Sequence, residues 1–295
     1  MSARRSGPPR SGGPRRSGSA PDDRRGPRER SGGRQGGGAP SGGFPDVDLL
    51  YGRNAVLESL RAGRRRSRTL LIAGNGPEDD VRDKRITEMQ ALARRANVRV
   101  KHISRQFMDE QILGNHQGVA LETSLFPYAT ELERPDRAPE EAVTGIWLAL
   151  DGLQDPQNVG TLLRAAEAFS IAGVIIPQDR AAHITPAVVN ASAGAVEHLN
   201  VARVVNLTRW LQQARNAGMF AVGLDGVDEA KDITTVDLRP PIVLVVGAEG
   251  GGLRRLVADQ CDLLARIPMT GKIDSLNAAV AGSIGLWEIH SQLEG

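Results

Sequence analysis

From Val143 onward the chain alternates apolar runs with helical patterns, and this constrains the fold more than any other feature. Apolar runs stand at 145–150 (GIWLAL), 173–176 (GVII), 201–205 (VARVV), 219–224 (MFAVGL), 242–246 (IVLVV) and 263–267 (LLARI). Helical segments at 158–170, 186–197, 207–217, 253–260 and 276–291 lie between or after them. Continuous apolar strands separated by helices predict an α/β fold with a parallel sheet covered on both faces. Ligands in such sheets bind at the C-terminal ends of the strands. The loops that leave those ends are therefore where the chemistry is sought.

The preceding residues read as a smaller unit. Residues 52–62 carry Ala55, Val56, Leu60 and Ala62 at near-helical spacing, with Gly63 as a stop. A strand follows at 69–73, a charged helix at 78–96, a strand at 98–103, a short helix at 104–113 and a strand at 117–124. Residues 46–126 thus form a small α/β domain. Prolines at 127, 135 and 139 among charged residues mark 127–142 as a linker, and 143–295 is the second domain.

Residues 1–45 are mainly Gly, Ser, Pro and Arg, and such a segment buries too little apolar surface to offset its ordering entropy. It is expected to be a disordered tail. It holds ten arginines against three acidic residues, or +7, so the net charge of +2 leaves −5 for the remainder. The tail reads either as a nonspecific RNA-binding arm or as a solubilising extension. The single cysteine, Cys261, excludes an intramolecular disulfide and a cysteine metal cluster and is expected in the core. His183, His198 and His290 lack metal-ligand spacing, so no metal site is expected. No apolar stretch reaches the roughly 18 residues of a membrane span, and the arginine-rich start has no apolar signal region. A cytoplasmic protein with no membrane partner is the expectation.

Three strand-end loops are rich in special residues. The first, Asp151 to Arg164, opens a helix. Asn158 is of the helix-capping type, Leu162, Ala165, Ala166 and Phe169 form the stripe expected to be buried, and Arg164 lies beside it. Arg164 is open to two readings, an ion pair with Glu167 or a functional cation. The second loop, Gly247-Ala248-Glu249-Gly250-Gly251-Gly252-Leu253, is a glycine-rich turn that could cradle a nucleotide but lacks the GxGxxG form. The third runs from Ile267 to Ala281. Asp274 or Ser275 could cap its helix, and small residues at 278, 279, 281 and 282 permit close packing. Residue by residue, this reading stops at an α/β enzyme with a nucleotide-like ligand at three strand ends.

Together the loops resemble the signature motifs of the SpoU (TrmH) family of RNA 2′-O-ribose methyltransferases: Asn158 with Arg164, then Gly247-Ala248-Glu249-Gly250, then Ile267-Pro268-Met269 with Ser275-Leu276-Asn277. Tyr51-Gly52-Arg53-Asn54-Ala55-Val56 and His116-Gln117-Gly118-Val119-Ala120 resemble the auxiliary RNA-binding domain of the 23S rRNA guanosine branch, a domain similar to ribosomal protein L30e. The resemblance implies a trefoil knot threaded through the third loop, a homodimer whose interface helps to build the sites, and S-adenosylmethionine as cofactor. It implies that Gly247, Ile267 and Leu276 line the adenosine pocket. Asn277 usually precedes a Val-Ser or similar pair in the family; Ala278-Ala279 here removes a hydroxyl.

The resemblance also assigns roles. Arg164 is the family's catalytic arginine. A guanidinium is effectively always protonated, so it is expected to hold the RNA phosphate and stabilise the developing oxyanion. Asn158 would orient the ribose or Arg164, Glu249 would position Arg164 or substrate, and Ser275 and Asn277 would hold the third loop and substrate. RNA contact is expected at Arg64-Arg65-Arg66 and the tail. The substrate implied is a guanosine of 23S rRNA, in naked RNA or a ribosome-assembly particle. Alternatives are a tRNA ribose methyltransferase, an antibiotic-resistance rRNA methyltransferase and a noncatalytic RNA-binding or ribosome-assembly protein. A nicotinamide oxidoreductase is disfavoured because the first strand leads into no GxGxxG turn.

Overall fold

The computed structural model describes residues 47–74, 76, 83–130, 144–272 and 275–294. The expected tail at 1–45, residues 131–142 of the expected linker, residues 78–82 of the charged helix and the candidate cap Asp274 lie outside the described residues.

The N-terminal lobe comprises β1 (Val47–Tyr51), α1 (Arg53–Ala62), β2 (Ser67–Ala73), α2 (Lys84–Arg95), β3 (Arg99–Ile103), α3 (Arg105–Gln111) and β4 (Val119–Ser124). Its sheet has the order β1-β4-β2-β3, with β2 and β3 parallel and the other pairs antiparallel. β1 was not foreseen. Its five residues are too few to declare a period, and it is fixed by pairing along its whole length with β4.

The C-terminal lobe comprises β5 (Ile146–Asp151), α4 (Pro156–Ala168), β6 (Gly173–Pro177), α5 (Pro186–Ala191), a 3-10 turn (Ala195–His198), β7 (Val201–Val204), α6 (Leu207–Asn216), β8 (Phe220–Leu224), β9 (Lys231–Asp232), β10 (Ile242–Gly247), α7 (Arg255–Ala258), β11 (Leu263–Arg266) and α8 (Ala278–Glu294). Its seven strands run in the order β7-β6-β5-β10-β8-β11-β9, every pair parallel. The expected parallel sheet covered on both faces is present. In β5, Ile146, Leu148 and Leu150 join the core under α4 and α8, while Trp147 and Ala149 join the core under α6. That is strand alternation with an apolar residue required at every position. Gly282 brings α8 against α4, since a Cβ there would stand 2.8 Å from Leu162 Cδ1.

Three local expectations are corrected. The helix expected at 186–197 breaks at Ala193 and Gly194, whose φ angles of 53° and 86° no right-handed helix tolerates. Asn158 does not cap α4; Asp155 does, accepting from the backbone N–H of Gln157 at 3.2 Å and of Asn158 at 3.4 Å, with Pro156 in the first turn. Ser275 does not cap α8; Asn277 does, its Oδ1 accepting from the N–H of Ala279 at 2.9 Å and of Val280 at 3.1 Å.

Candidate active site

β5, β10, β8 and β11 lie side by side and parallel, so their C-terminal ends and the loops leaving them gather at one edge of the sheet. A cleft of about 300 Å³ opens there between the ends of β8, β10 and β11 and the start of α8. Gly247, Ile267 and Leu276, expected at the cofactor, line it, as do Glu249 and Ser275.

The glycine-rich turn is shaped by its own backbone first. A Cβ on Gly247 would lie 2.3 Å from the carbonyl carbon and oxygen of Gly252, so only glycine lets the chain fold back this tightly. The Gly252 N–H closes the turn on the Ala248 carbonyl at 3.1 Å. Two carboxylates, at the ends of the strands that flank β10, then hold it. Asp225 accepts from the Leu253 N–H at 3.3 Å, and Asp151 accepts from the Arg254 N–H at 2.8 Å. Asp151 is fully buried and also receives the Arg254 guanidinium, Nε at 2.6 Å and Nη2 at 2.5 Å.

Asp151 and Asp225 belong to none of the motifs quoted above. Both stand at a strand end directly before glycine, Asp151-Gly152 and Asp225-Gly226, and that repeated dipeptide is the signal that could have found them.

The three loops meet at Asn277. Its amide nitrogen donates to Asn158 Oδ1 at 2.9 Å and, in a short contact, to Glu249 Oε1, while its own carbonyl caps α8. One side chain therefore ties the first motif, the glycine-rich turn and the third loop at the mouth of the cleft. Arg164 stands apart. It lies six residues beyond Asn158 on α4, roughly 9 Å along the axis, and is exposed. Among the described residues it has no hydrogen-bond or ion-pair partner, so neither Glu167 nor Glu249 holds it.

The cleft suits the implied cofactor. Leu224, Val246, Ile267, Met269 and Leu276 offer an apolar bed for an adenine, and Glu249 and Asp225 place carboxylates where a sulfonium cation would be favoured. The volume sits at the low end of the roughly 300–1,000 Å³ usual for ligand sites.

Residues 145–287 match the SpoU rRNA methylase family, and residues 49–129 match the RNA 2′-O ribose methyltransferase substrate-binding domain. YacO of Bacillus subtilis, named for the TrmH family of tRNA/rRNA methyltransferases, is 35% identical over 243 residues, 82% of this chain and 95% of its own. The chain belongs to the SpoU methylase family. A protein of Mycolicibacterium vanbaalenii named as a tRNA/rRNA methyltransferase is 40% identical over 248 residues, covering 84% of this SpoU methylase and 77% of its own length.

An S-adenosylmethionine-bound rRNA methyltransferase of Sinorhizobium meliloti superposes with a TM-score of 0.67 at 27% identity, over 84% of this chain and 88% of that one. The SpoU methyltransferase AviRb of Streptomyces viridochromogenes, also with S-adenosylmethionine, gives 0.66 at 25% identity, over 84% and 92%. This SpoU methylase is an S-adenosylmethionine-dependent RNA methyltransferase, and its first lobe is an RNA substrate-binding domain. No helix among the described residues is long and apolar enough to cross a membrane.

Of the expected RNA-contacting run Arg64-Arg65-Arg66, Arg65 does not reach the surface. Its side chain is fully buried against Glu197 and Asp48, and Arg64 donates to the Leu199 carbonyl.

Proposed function

We propose that this chain methylates the ribose 2′-hydroxyl of a guanosine in 23S rRNA. The observation that carries the reading is the Asn277 junction, which joins the three motifs beside a cleft suited to S-adenosylmethionine. The rRNA substrate is favoured by the match of both lobes together to rRNA methyltransferases.

S-adenosylmethionine bound in the cleft supplies a methyl group on a sulfonium centre. Gly247, Ile267 and Leu276 hold its adenosine. Glu249 and Asn158, fixed by Asn277, orient the ribose at the mouth, and Ser275 with Asn277 keeps the third loop over the site. Arg164, with no competing partner among the described residues, takes the RNA phosphate and stabilises the charge that develops on the 2′-oxygen. The proton leaves to phosphate or water.

The working unit in this proposal is a homodimer. Val280 and Trp287, seven residues apart on α8, are 44% and 57% exposed and share one face, and Phe169 at the end of α4 stands 6.1 Å from Trp287. Exposed aromatic and aliphatic groups on paired helices fit a second copy of the chain. A copy covering this face would draw on the helix that carries Arg164. The L30e-like character of the first lobe, a trefoil knot through the third loop, a cytoplasmic location and an RNA-binding role for the basic tail belong to the same proposal.

The test is methyl transfer from labelled S-adenosylmethionine to unmodified 23S rRNA, tRNA and a pre-ribosomal particle, with sites mapped by resistance to alkaline cleavage. A single protected guanosine in 23S rRNA, whose protection is lost in Arg164→Ala, is the expected result. A fall of about 10²–10³ in turnover matches removal of a key charge stabiliser. Labelling of tRNA alone would overturn the substrate, and near wild-type turnover in Arg164→Ala would overturn the role of that residue.

A further inference from the structure

The N-terminal lobe rests on the catalytic lobe through close contacts that leave little room for movement. Gly52, in the Tyr51-Gly52-Arg53-Asn54 motif, has φ +89°, and a Cβ there would fall 2.4 Å from the Asn190 amide nitrogen of α5. That amide donates to the Tyr51 carbonyl at 3.0 Å. From the other side Gly194, φ +86°, approaches α1 so closely that a Cβ would lie 2.6 Å from Glu58 Cβ and 3.0 Å from the Asn54 carbonyl. Each lobe thus presents a positive-φ glycine to the other: a side chain at Gly194 would force the lobes apart, and one at Gly52 would displace the Asn190 amide from the Tyr51 carbonyl.

Polar contacts fix the direction of approach. Arg65, fully buried, places Nε 2.9 and 3.1 Å from the two carboxylate oxygens of Glu197, itself fully buried in the catalytic lobe. Its Nη1 donates to Asp48 Oδ2 at 2.6 Å and to the Ser124 carbonyl at 3.1 Å within its own lobe. Nearer the surface, His198 Nε2 meets Glu58 Oε2 at 2.9 Å. A buried ion pair of this kind resists separation, because parting its members leaves the buried Glu197 uncompensated and Arg65 with Asp48 as its one remaining carboxylate.

We infer that the substrate-binding lobe does not swing during the reaction: the joint made by Gly52, Asn190, Gly194, Arg65 and Glu197 locks it to the catalytic lobe as a ruler. RNA held by the first lobe then presents one nucleotide to the methyl-transfer site, and these are positioning residues acting through the RNA. The sheet geometry sets the scale. β1 packs against α5, and β3, carrying the exposed Arg99 and Lys101, is the opposite edge, three strand spacings or about 14 Å further out. This inference rests on the RNA-methylation reading above.

The test places cysteines at Glu58 and His198 in a Cys261→Ser background and joins them with a short bismaleimide. Crosslinking is followed first, with and without S-adenosylhomocysteine and RNA. A locked joint gives the same rate in all conditions and a crosslinked enzyme within about twofold of the uncrosslinked variant in RNA methylation. Crosslinking slowed several-fold by RNA, or a tenfold loss of methylation with S-adenosylhomocysteine binding intact, would overturn the inference. The rate comparison needs no turnover, so it stands apart from failure of the methylation reading.

Gly194→Ala supplies a second readout: KM for RNA rises about tenfold while kcat and S-adenosylhomocysteine affinity stay within twofold. An unchanged KM in a folded variant would count against the ruler. A variant that loses cofactor binding is misfolded, and the crosslinking result then decides.

Discussion

Asn277 does two jobs with one side chain, and two substitutions separate them. Asn277→Ala removes the cap of α8, costing about 1 kcal/mol, and the amide hydrogen bonds to Asn158 and Glu249, together about 1 kcal/mol at this exposed position. A loss of roughly 2 kcal/mol lowers Tm by about 4–8 °C for a domain of this size. Asn277→Asp behaves differently. Aspartate caps as well as asparagine, and its charge is favoured at a helix start, so Tm stays within about 2 °C. It does, however, set a second carboxylate against Glu249. Unit charges 4 Å apart near a protein surface repel by roughly 4 kcal/mol before screening, and exposure of both groups brings this to about 1 kcal/mol. Glu249 and the glycine-rich turn then shift away from Asn158. The expected result is a roughly tenfold fall in kcat/KM, equivalent to about 1.4 kcal/mol, measured by labelled methyl transfer beside a thermal melt. Wild-type kcat/KM in Asn277→Asp, or an unchanged Tm in Asn277→Ala, would refute the reasoning.

Other perturbations have expected outcomes. Glu197→Ala leaves the buried Arg65 Nε without an acceptor while Asp48 still balances the charge, and should cost about 1–3 kcal/mol, read as a lower urea midpoint; an unchanged midpoint would show that water reaches the pair. Burial, with Asp262 and Asp151 nearby, pushes the Cys261 thiol up to about 12. An acid raised in the folded chain above its ordinary value of about 8.5 stabilises the fold fully below that value, and the contribution is lost as pH rises toward 12. Cys261→Ala should therefore lessen the loss of stability between about pH 9 and pH 12, and native Cys261 should alkylate far more slowly at pH 8 than in denaturant. Trp287→Glu should shift the chain toward monomer in light scattering if α8 faces a second copy; an unchanged mass would place the interface elsewhere.

Much of the catalytic lobe was legible in the sequence because its physics is local and repetitive. Strands buried on both faces need apolar residues at every position, and each run from GIWLAL to LLARI announces itself. The three loops were visible for a related reason: tight turns and helix starts admit few residue types. Gly247, Glu249, Ile267, Ser275 and Leu276 line the cleft, and Asn158 and Asn277 stand at its mouth. The sequence also marked the N-terminal half of the interlobe joint through Tyr51-Gly52-Arg53-Asn54, without showing what it touches; Asn190, Gly194 and Glu197 carried no such mark.

What only the tertiary structure decided depends on partners distant along the chain. β1 exists because β4 pairs with it, and Arg65 ceased to be a surface cation because Glu197, 132 residues later, closes over it. Asp151 and Asp225 acquired a role only when the turn after β10 folded back between their strand ends. The helix caps passed to Asp155 and Asn277 because backbone geometry, rather than residue type alone, selects among neighbouring candidates. Composition and periodicity determine which residues must be buried and which backbone shapes are possible. Which charges meet, and which glycines face another lobe, is set by the packing of elements whose order in space no local pattern encodes.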